Sequence, residues 1–216
     1  MLKALAIKEL RESLGIVALA VLALGYVILG LIGVTMLPWQ SAGQPYFPFS
    51  ADAHSFSQAV VLGAFILLLG LRQTAWELHN GTFYYLLHRP LPRWVVFAVK
   101  LVVGTALVLV VNALFVGIYG WWAATPGTHP TPFFWSMTLP AWKLGLAMVP
   151  VYLGAFFSGL RPGQWFGSRL APAVTGIAAG FAVTGMPWWW LSAIIGIAAV
   201  SLMLVGIFYY TRVRDY

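Results

Sequence analysis

Residues 14–36 hold no charged side chain over 23 consecutive positions, and comparable runs recur to the end of the chain. No other feature limits the possible folds so strongly. A helix needs about 20 apolar residues to cross about 30 Å of hydrocarbon, and a soluble domain has no means of burying so many such runs. Six candidate spans result, at 14–36, 56–76, 94–120, 137–159, 170–185 and 191–210. The second is apolar only as far as Leu71, so its last turns, carrying Arg72 and Glu77, should project beyond the membrane. The fifth is short, with Pro172 near its start.

Composition agrees. Charged residues make up 8% of the 216, against about 25% in soluble domains, and mean hydropathy is +0.88. The expected fold is all-α, a polytopic membrane protein with about six transmembrane helices in a single domain, 1–216. The net charge of +7 does not point to nucleic acid, because the basic residues are scattered beside apolar runs and form no single patch. Cysteine is absent, which excludes disulfides and thiolate metal sites.

The first residues do not read as a cleavable leader. Lys3, Lys8 and Arg11 are mixed with Glu9 and Glu12, and the apolar run after them exceeds the ~7–15 residues of a signal h-region. Residues 1–13 instead place Leu2, Leu5, Ala6, Leu10 and Ser13 near one helical face, which predicts a short amphipathic helix lying in the headgroup region.

Basic residues orient the spans. Lys3, Lys8, Arg11, Arg72, Arg89, Arg93, Lys100, Arg161, Arg169, Arg212 and Arg214 fall on one side if the spans alternate, leaving Lys143 as the exception among 12 Lys and Arg. Both termini are then cytoplasmic, in a multi-pass protein of the plasma or inner membrane. The opposite loops, and the corner Met186–Trp190, are rich in rings and proline. They read either as an interfacial aromatic belt or as an outer gate for an amphipathic substrate.

The connector 77–93 is unusual for so apolar a chain. Asn80-Gly81 signals a turn, and Thr82 can cap a new helix. Phe83, Tyr84, Tyr85, Leu86 and Leu87 supply one to two turns, and Pro90 and Pro92 end them. The expected product is a short aromatic helix across the cytoplasmic face, whose apolar side chains need a partner to cover them. Glu77 reads either as an ion-pair partner of Arg72 or Arg93 or as an interfacial residue. Lys100 reads as a snorkelling lysine.

Glu77, Gly81-Thr82, Leu86-Leu87, Pro90, Arg93 and Lys100 stand in the order and near the spacing of a motif between spans two and three of ABC-2 permeases. In this motif and in its six-span layout, the chain resembles that family, the transmembrane subunits of type-two ABC exporters. The resemblance implies that the connector is a coupling helix docking on a separate cytosolic ATPase subunit. Phe83, Tyr84, Leu86 and Leu87 would fill a groove on that subunit, and Glu77, Arg89 and Arg93 would make polar contacts. It also implies a second permease, identical or related, with spans one and five at the seam. Gly30 and Gly33, and Gly176 and Gly180, would permit close helix approach there or within the subunit. The chain departs from many relatives in having only MPWWW between its last two spans.

No Gly-x-x-x-x-Gly-Lys-Ser/Thr motif occurs, so ATP and Mg are expected on the partner ATPase, with no cofactor or metal on this chain. Catalysis is not expected. His54, His79, His88 and His129 lie outside the spans and without metal-ligand spacing, and Ser158 reads as a small residue at a helix end. Asn112 and Thr175 suggest interhelical hydrogen bonds, Pro150 a kink and Lys143 a snorkelling side chain. The principal reading is a permease subunit of an ATP-driven exporter. Its rival is a membrane scaffold or accessory subunit that uses the same aromatic helix to recruit a cytosolic partner.

Overall fold

The structure is a computed structural model describing residues 2–34, 48–49, 54–81, 92–161 and 168–213. Among these residues the secondary structure is helical, with no strand. Helix α1 spans Leu2–Leu31 and α2 His54–Leu71. The latter continues through a π-helical turn, Arg72–Trp76, into a final turn, Glu77–His79. Helix α3 spans Arg93–Ala124, α4 Leu139–Leu160, α5 Ala171–Gly185 and α6 Trp189–Val213, with a 3-10 turn at Trp135–Thr138 leading into α4.

Five of these helices are long and apolar enough to cross a membrane, counting α2 with its extension, which marks the chain as a membrane protein. Helix α5 has 15 residues, about 22 Å at the α-helical rise and less than the hydrocarbon thickness. Against the six spans expected, the described residues hold five helices of membrane length and one shorter apolar helix.

The expected interfacial helix over residues 1–13 is replaced by something different. Residues 2–13 are the first turns of α1, continuous with the apolar run. No proline interrupts the junction, and the inward stripe Leu5, Glu9, Ser13 continues along the same face to Ala20 and Leu24. Leu2 and Leu10, expected on the apolar face, are exposed. The side of this segment that packs on protein is the one carrying Leu5, Glu9 and Ser13.

Helix ends obey local rules. Gly33 adopts φ +86° after α1; its N–H donates to the Gly30 carbonyl at 3.2 Å, and the Val34 N–H to that of Leu29 at 3.0 Å. This is a Schellman closure, which a residue with a Cβ would strain. Gly81, at φ +70°, ends the α2 extension, with the Asn80 N–H bonded to Trp76 O at 3.0 Å. Helix α3 starts immediately after Pro92, whose φ of −58° suits a helix entry.

Helix α4 is the centre of the assembly: 72% of its most apolar stretch is buried, against 22% for α1 and 17% for α6. Glycines allow its neighbours close. A Cβ at Gly70 of α2 would stand 2.8 Å from the Ala155 Cβ of α4, and one at Gly176 of α5 would stand 2.6 Å from the Pro150 carbonyl oxygen. Gly180 faces Val151 and Ala147 in the same way. The Gly176/Gly180 face thus packs within the chain, against α4. Gly30 and Gly33 lie at the end of α1.

Successive helices run in opposite directions. The starts of α1, α3 and α5 meet the ends of α2, α4 and α6, as shown by Lys8 with Glu77, Ala173 with Ser158, and Phe157 with Tyr210. The far end carries aromatics that close on one another. Phe49 is buried with its ring 4.6 Å from that of Tyr119; Tyr119 stacks on Trp122 at 5.7 Å, and Trp135 packs on Gly120. Trp121, Trp188, Trp189 and Trp190 point outward, where a membrane interface would take them.

Two polar residues that look interfacial or incidental in the sequence act as helix caps. Lys143 Nζ donates to the carbonyls of Met186, at 2.5 Å, and Thr184, at 3.4 Å, satisfying orphan acceptors at the end of α5 instead of snorkelling. Ser158 Oγ accepts from the Ala173 N–H at 2.9 Å, so the hydroxyl belongs to the start of α5.

Candidate functional site

The strongest polar feature lies where the starts of α1 and α3 meet the end of α2. Lys100, about two turns into α3, has no solvent exposure. Its ammonium lies 2.6 Å from Glu9 Oε1 and 2.8 Å from Glu77 Oε1. Glu9 and Glu77 are themselves buried, at 1% and 4% exposure. Lys8 approaches from the rim, 3.0 Å from the same Glu77 oxygen and 3.3 Å from Glu12 Oε1 one turn along α1. Lys100 is therefore no snorkelling residue, and Glu77 pairs with Lys8 and Lys100. Arg72 donates from Nε to the backbone carbonyl of Glu12 at 3.1 Å.

Local structure explains how Glu77 comes inside. A regular α-helix through Leu71 would aim successive residues by about 100° each. The π-helical turn inserts an extra residue and rotates the last turn of the helix relative to the first part. Gln73, Thr74 and Glu77 are buried while Trp76 is exposed. The turn sits against α4 at Gly159, where Thr74 Oγ1 occupies the space a Cβ would need. Thr74 also donates to the Gly70 carbonyl at 2.8 Å, so its hydroxyl is satisfied within the helix.

Tyr152 of α4 joins the cluster to the core. Its hydroxyl lies 2.6 Å from Gln73 Oε1 and 3.2 Å from the Lys100 carbonyl, one proton facing two acceptors. Gly104 leaves room for the Tyr152 ring tip. Four helices thus meet through one polar chain: α1 by Lys8, Glu9 and Glu12, α2 by Gln73 and Glu77, α3 by Lys100, and α4 by Tyr152.

The set is a network of ion pairs that joins helix ends. The carboxylates of Glu9, Glu12 and Glu77 come within 4.8 Å of one another, and the cations they hold are the Lys8 and Lys100 ammoniums. A buried pair repays its desolvation only with good geometry and further hydrogen bonds, and losing one partner costs about 3–5 kcal/mol. Such a cluster specifies which helix ends sit together.

A smaller network lies deeper. Gln58 Nε2 donates to Asn112 Oδ1 at 2.8 Å, and Asn112 Nδ2 reaches the Ala141 carbonyl at 3.4 Å. Asn112 is thus the interhelical residue expected, with Gly145 giving its amide space. Thr175 instead donates to Pro172 O in its own helix, at 2.9 Å.

Of the connector residues singled out in the sequence, Glu77 is buried in the ion cluster, Gly81 forms the turn, and Arg93 is exposed in the first turn of α3. Thr82, Phe83, Tyr84, Leu86, Leu87, Arg89 and Pro90 lie outside the described residues. Sequence reasoning missed Lys8, Glu9, Glu12, Gln73, Lys100 and Tyr152 as members of one site. One signal was available: the whole chain has 5 acidic residues, and three of them meet here.

Comparison with known proteins leaves the family open: no family model, no curated protein and no solved structure matches the chain.

Proposed function

We propose that the chain is the permease subunit of an ATP-driven exporter of the ABC-2 type, transmitting work from a separate cytosolic ATPase to the membrane helices. The observation that carries this reading is the position of Glu77. It stands four residues before Gly81, where α2 ends, and its carboxylate is held by Lys8 of α1 and Lys100 of α3. A load applied to the connector beyond Gly81 would reach three helices at once, and α4 through Gln73 and Tyr152. A loop serving only to join two spans has no need of such bracing.

In this reading the basic end of the bundle faces the cytosol, as the distribution of Lys and Arg favours. The protein resides in the plasma or inner membrane, with α5 completing a sixth pass. Phe83, Tyr84, Leu86 and Leu87 enter a groove on the ATPase, and rings supply most of the docking energy. ATP and Mg bind the partner, and a second permease copy or a related chain completes the pathway. The exposed apolar faces of α1 and α6, including Leu22 and Leu202, are available to lipid or to that second copy.

The test is copurification. Replacing Phe83, Tyr84 and Leu87 together by Asp is expected to abolish recovery of the ATPase with the membrane subunit, while insertion is unchanged. Undiminished complex formation would exclude the coupling-helix role. ATP turnover that depends on this subunit separates a permease from a passive scaffold.

A further inference from the structure

A groove of about 590 Å³ opens beside α2 at the basic end of the bundle. Its floor is apolar, from Ile16 of α1 and Leu68 and Leu71 of α2. Its mouth carries Arg72 and His79 of α2 and Arg169 from the turn before α5. Among the described residues no acidic side chain lines it.

The order of these residues along the helices is informative. Leu68 and Leu71 close the apolar part of α2, Arg72 is its first charged residue, and Ile16 lies just beyond the charged segment of α1. The groove therefore straddles the level at which hydrocarbon gives way to headgroups, with Trp76 exposed on its wall. Leu68, Arg72, Trp76 and His79 all line this one groove, brought to the same side of α2 across the π-helical turn.

Both guanidiniums are held in place. Arg72 is tied by Nε to the Glu12 carbonyl at 3.1 Å. Among the described residues it meets no carboxylate, so its two terminal nitrogens are left for an outside acceptor. Arg169 leans on the end of α4, 3.4 Å from the carbonyls of Ser158 and Gly159. A planar fork suits phosphate oxygens better than a lysine ammonium does, and a polar mouth over an apolar floor suits an amphiphile.

We propose that this groove binds one acidic phospholipid, its phosphodiester at Arg72 and Arg169 and its first acyl segment along Ile16, Leu68 and Leu71. The volume lies within the range of small-ligand sites, enough for a headgroup and the upper part of a chain. A bound lipid would bridge α1, α2 and the start of α5 beside the ion cluster. The site does not depend on the exporter reading, because the ligand is a component of the membrane.

The full chain, purified in neutral detergent, can be titrated with phosphatidylglycerol, phosphatidylcholine or inorganic phosphate and monitored by native mass spectrometry. Phosphatidylglycerol is expected to be retained about tenfold more tightly than phosphatidylcholine, and millimolar phosphate should not displace it. Arg72→Gln and Arg169→Gln should each remove that preference, whereas Lys143→Gln, at the opposite end, should preserve it. If Arg72→Gln fails to accumulate, Arg169→Gln and the floor variant Leu68→Glu carry the same comparison. Equal retention of the two lipids, an unchanged preference in the arginine variants, or displacement by phosphate alone would overturn the assignment.

Discussion

Lys100 of α3 and Glu9 of α1, 91 residues apart in sequence, meet at 2.6 Å with both side chains sealed from solvent. The pair fixes the start of α1 against the start of α3, and Glu77 brings in the end of α2. Removing the cation leaves two carboxylates buried close together. Lys100→Met is therefore expected to destabilise the protein by about 3–5 kcal/mol, read as a lowered unfolding midpoint in detergent. Adding Glu9→Gln and Glu77→Gln to Lys100→Met should recover much of the loss, because the uncompensated charges are then gone. A single variant as stable as the parent would show that the cluster is not buried in the folded protein.

The helices were legible because hydrocarbon imposes a length and composition that few other environments require; the runs at 94–120, 137–159 and 191–210 lie inside α3, across the 3-10 turn and α4, and inside α6. The cluster was not. A lysine at the foot of a span looks the same whether it reaches for headgroups or for a carboxylate, and nothing local to Lys100 distinguishes Glu9 from open water. The π-helical turn at Arg72–Trp76 was equally hidden, since its close contact with Gly159 of α4 lies 85 residues from Thr74 in sequence and leaves no local side-chain pattern. Glu77 could be singled out by the scarcity of acids; its partners required the third dimension.

Tyr152 supplies a second test. Tyr152→Phe removes the hydroxyl from Gln73 Oε1 and the Lys100 carbonyl, leaving the buried amide oxygen of Gln73 without its donor. Such a loss costs about 1–3 kcal/mol, a smaller drop in unfolding midpoint than Lys100→Met should cause. No change would mean that water replaces the hydroxyl.

Close approach at Gly159 is testable by size alone. Gly159→Ala places a Cβ where Thr74 Oγ1 now stands, so α2 and α4 must move apart at a cost of about 1–3 kcal/mol. Thr74→Ala combined with Gly159→Ala removes the nearest atom and should restore part of the stability. Gly15→Ala, which meets nothing within 4 Å, is the control and should be neutral or mildly stabilising.

Orientation can be read directly, because the chain contains no cysteine. Ala124→Cys lies exposed at the aromatic end and Ser168→Cys exposed at the basic end. An impermeant maleimide applied to intact cells should label Ala124→Cys alone, and Ser168→Cys should react only after permeabilisation. The reverse pattern would place the basic end outside and remove the proposed contact with a cytosolic ATPase.

A test of the proposed coupling role of Glu77 requires a variant that spares the fold. Glu77→Gln leaves Lys100 paired with Glu9 and Lys8 paired with Glu12, so its stability cost should fall well below that of Lys100→Met. The connector keeps its own side chains, and recovery of the ATPase with the membrane subunit should be unchanged. The attachment of the end of α2 to α1 and α3 is the contact that weakens. If the cluster transmits force, ATP turnover by the complex should move toward the rate of the ATPase alone, even though the two chains remain bound. Turnover that still responds fully to the membrane subunit would assign the cluster to folding only. Loss of binding together with loss of turnover would mean that Glu77 supports docking and not transmission.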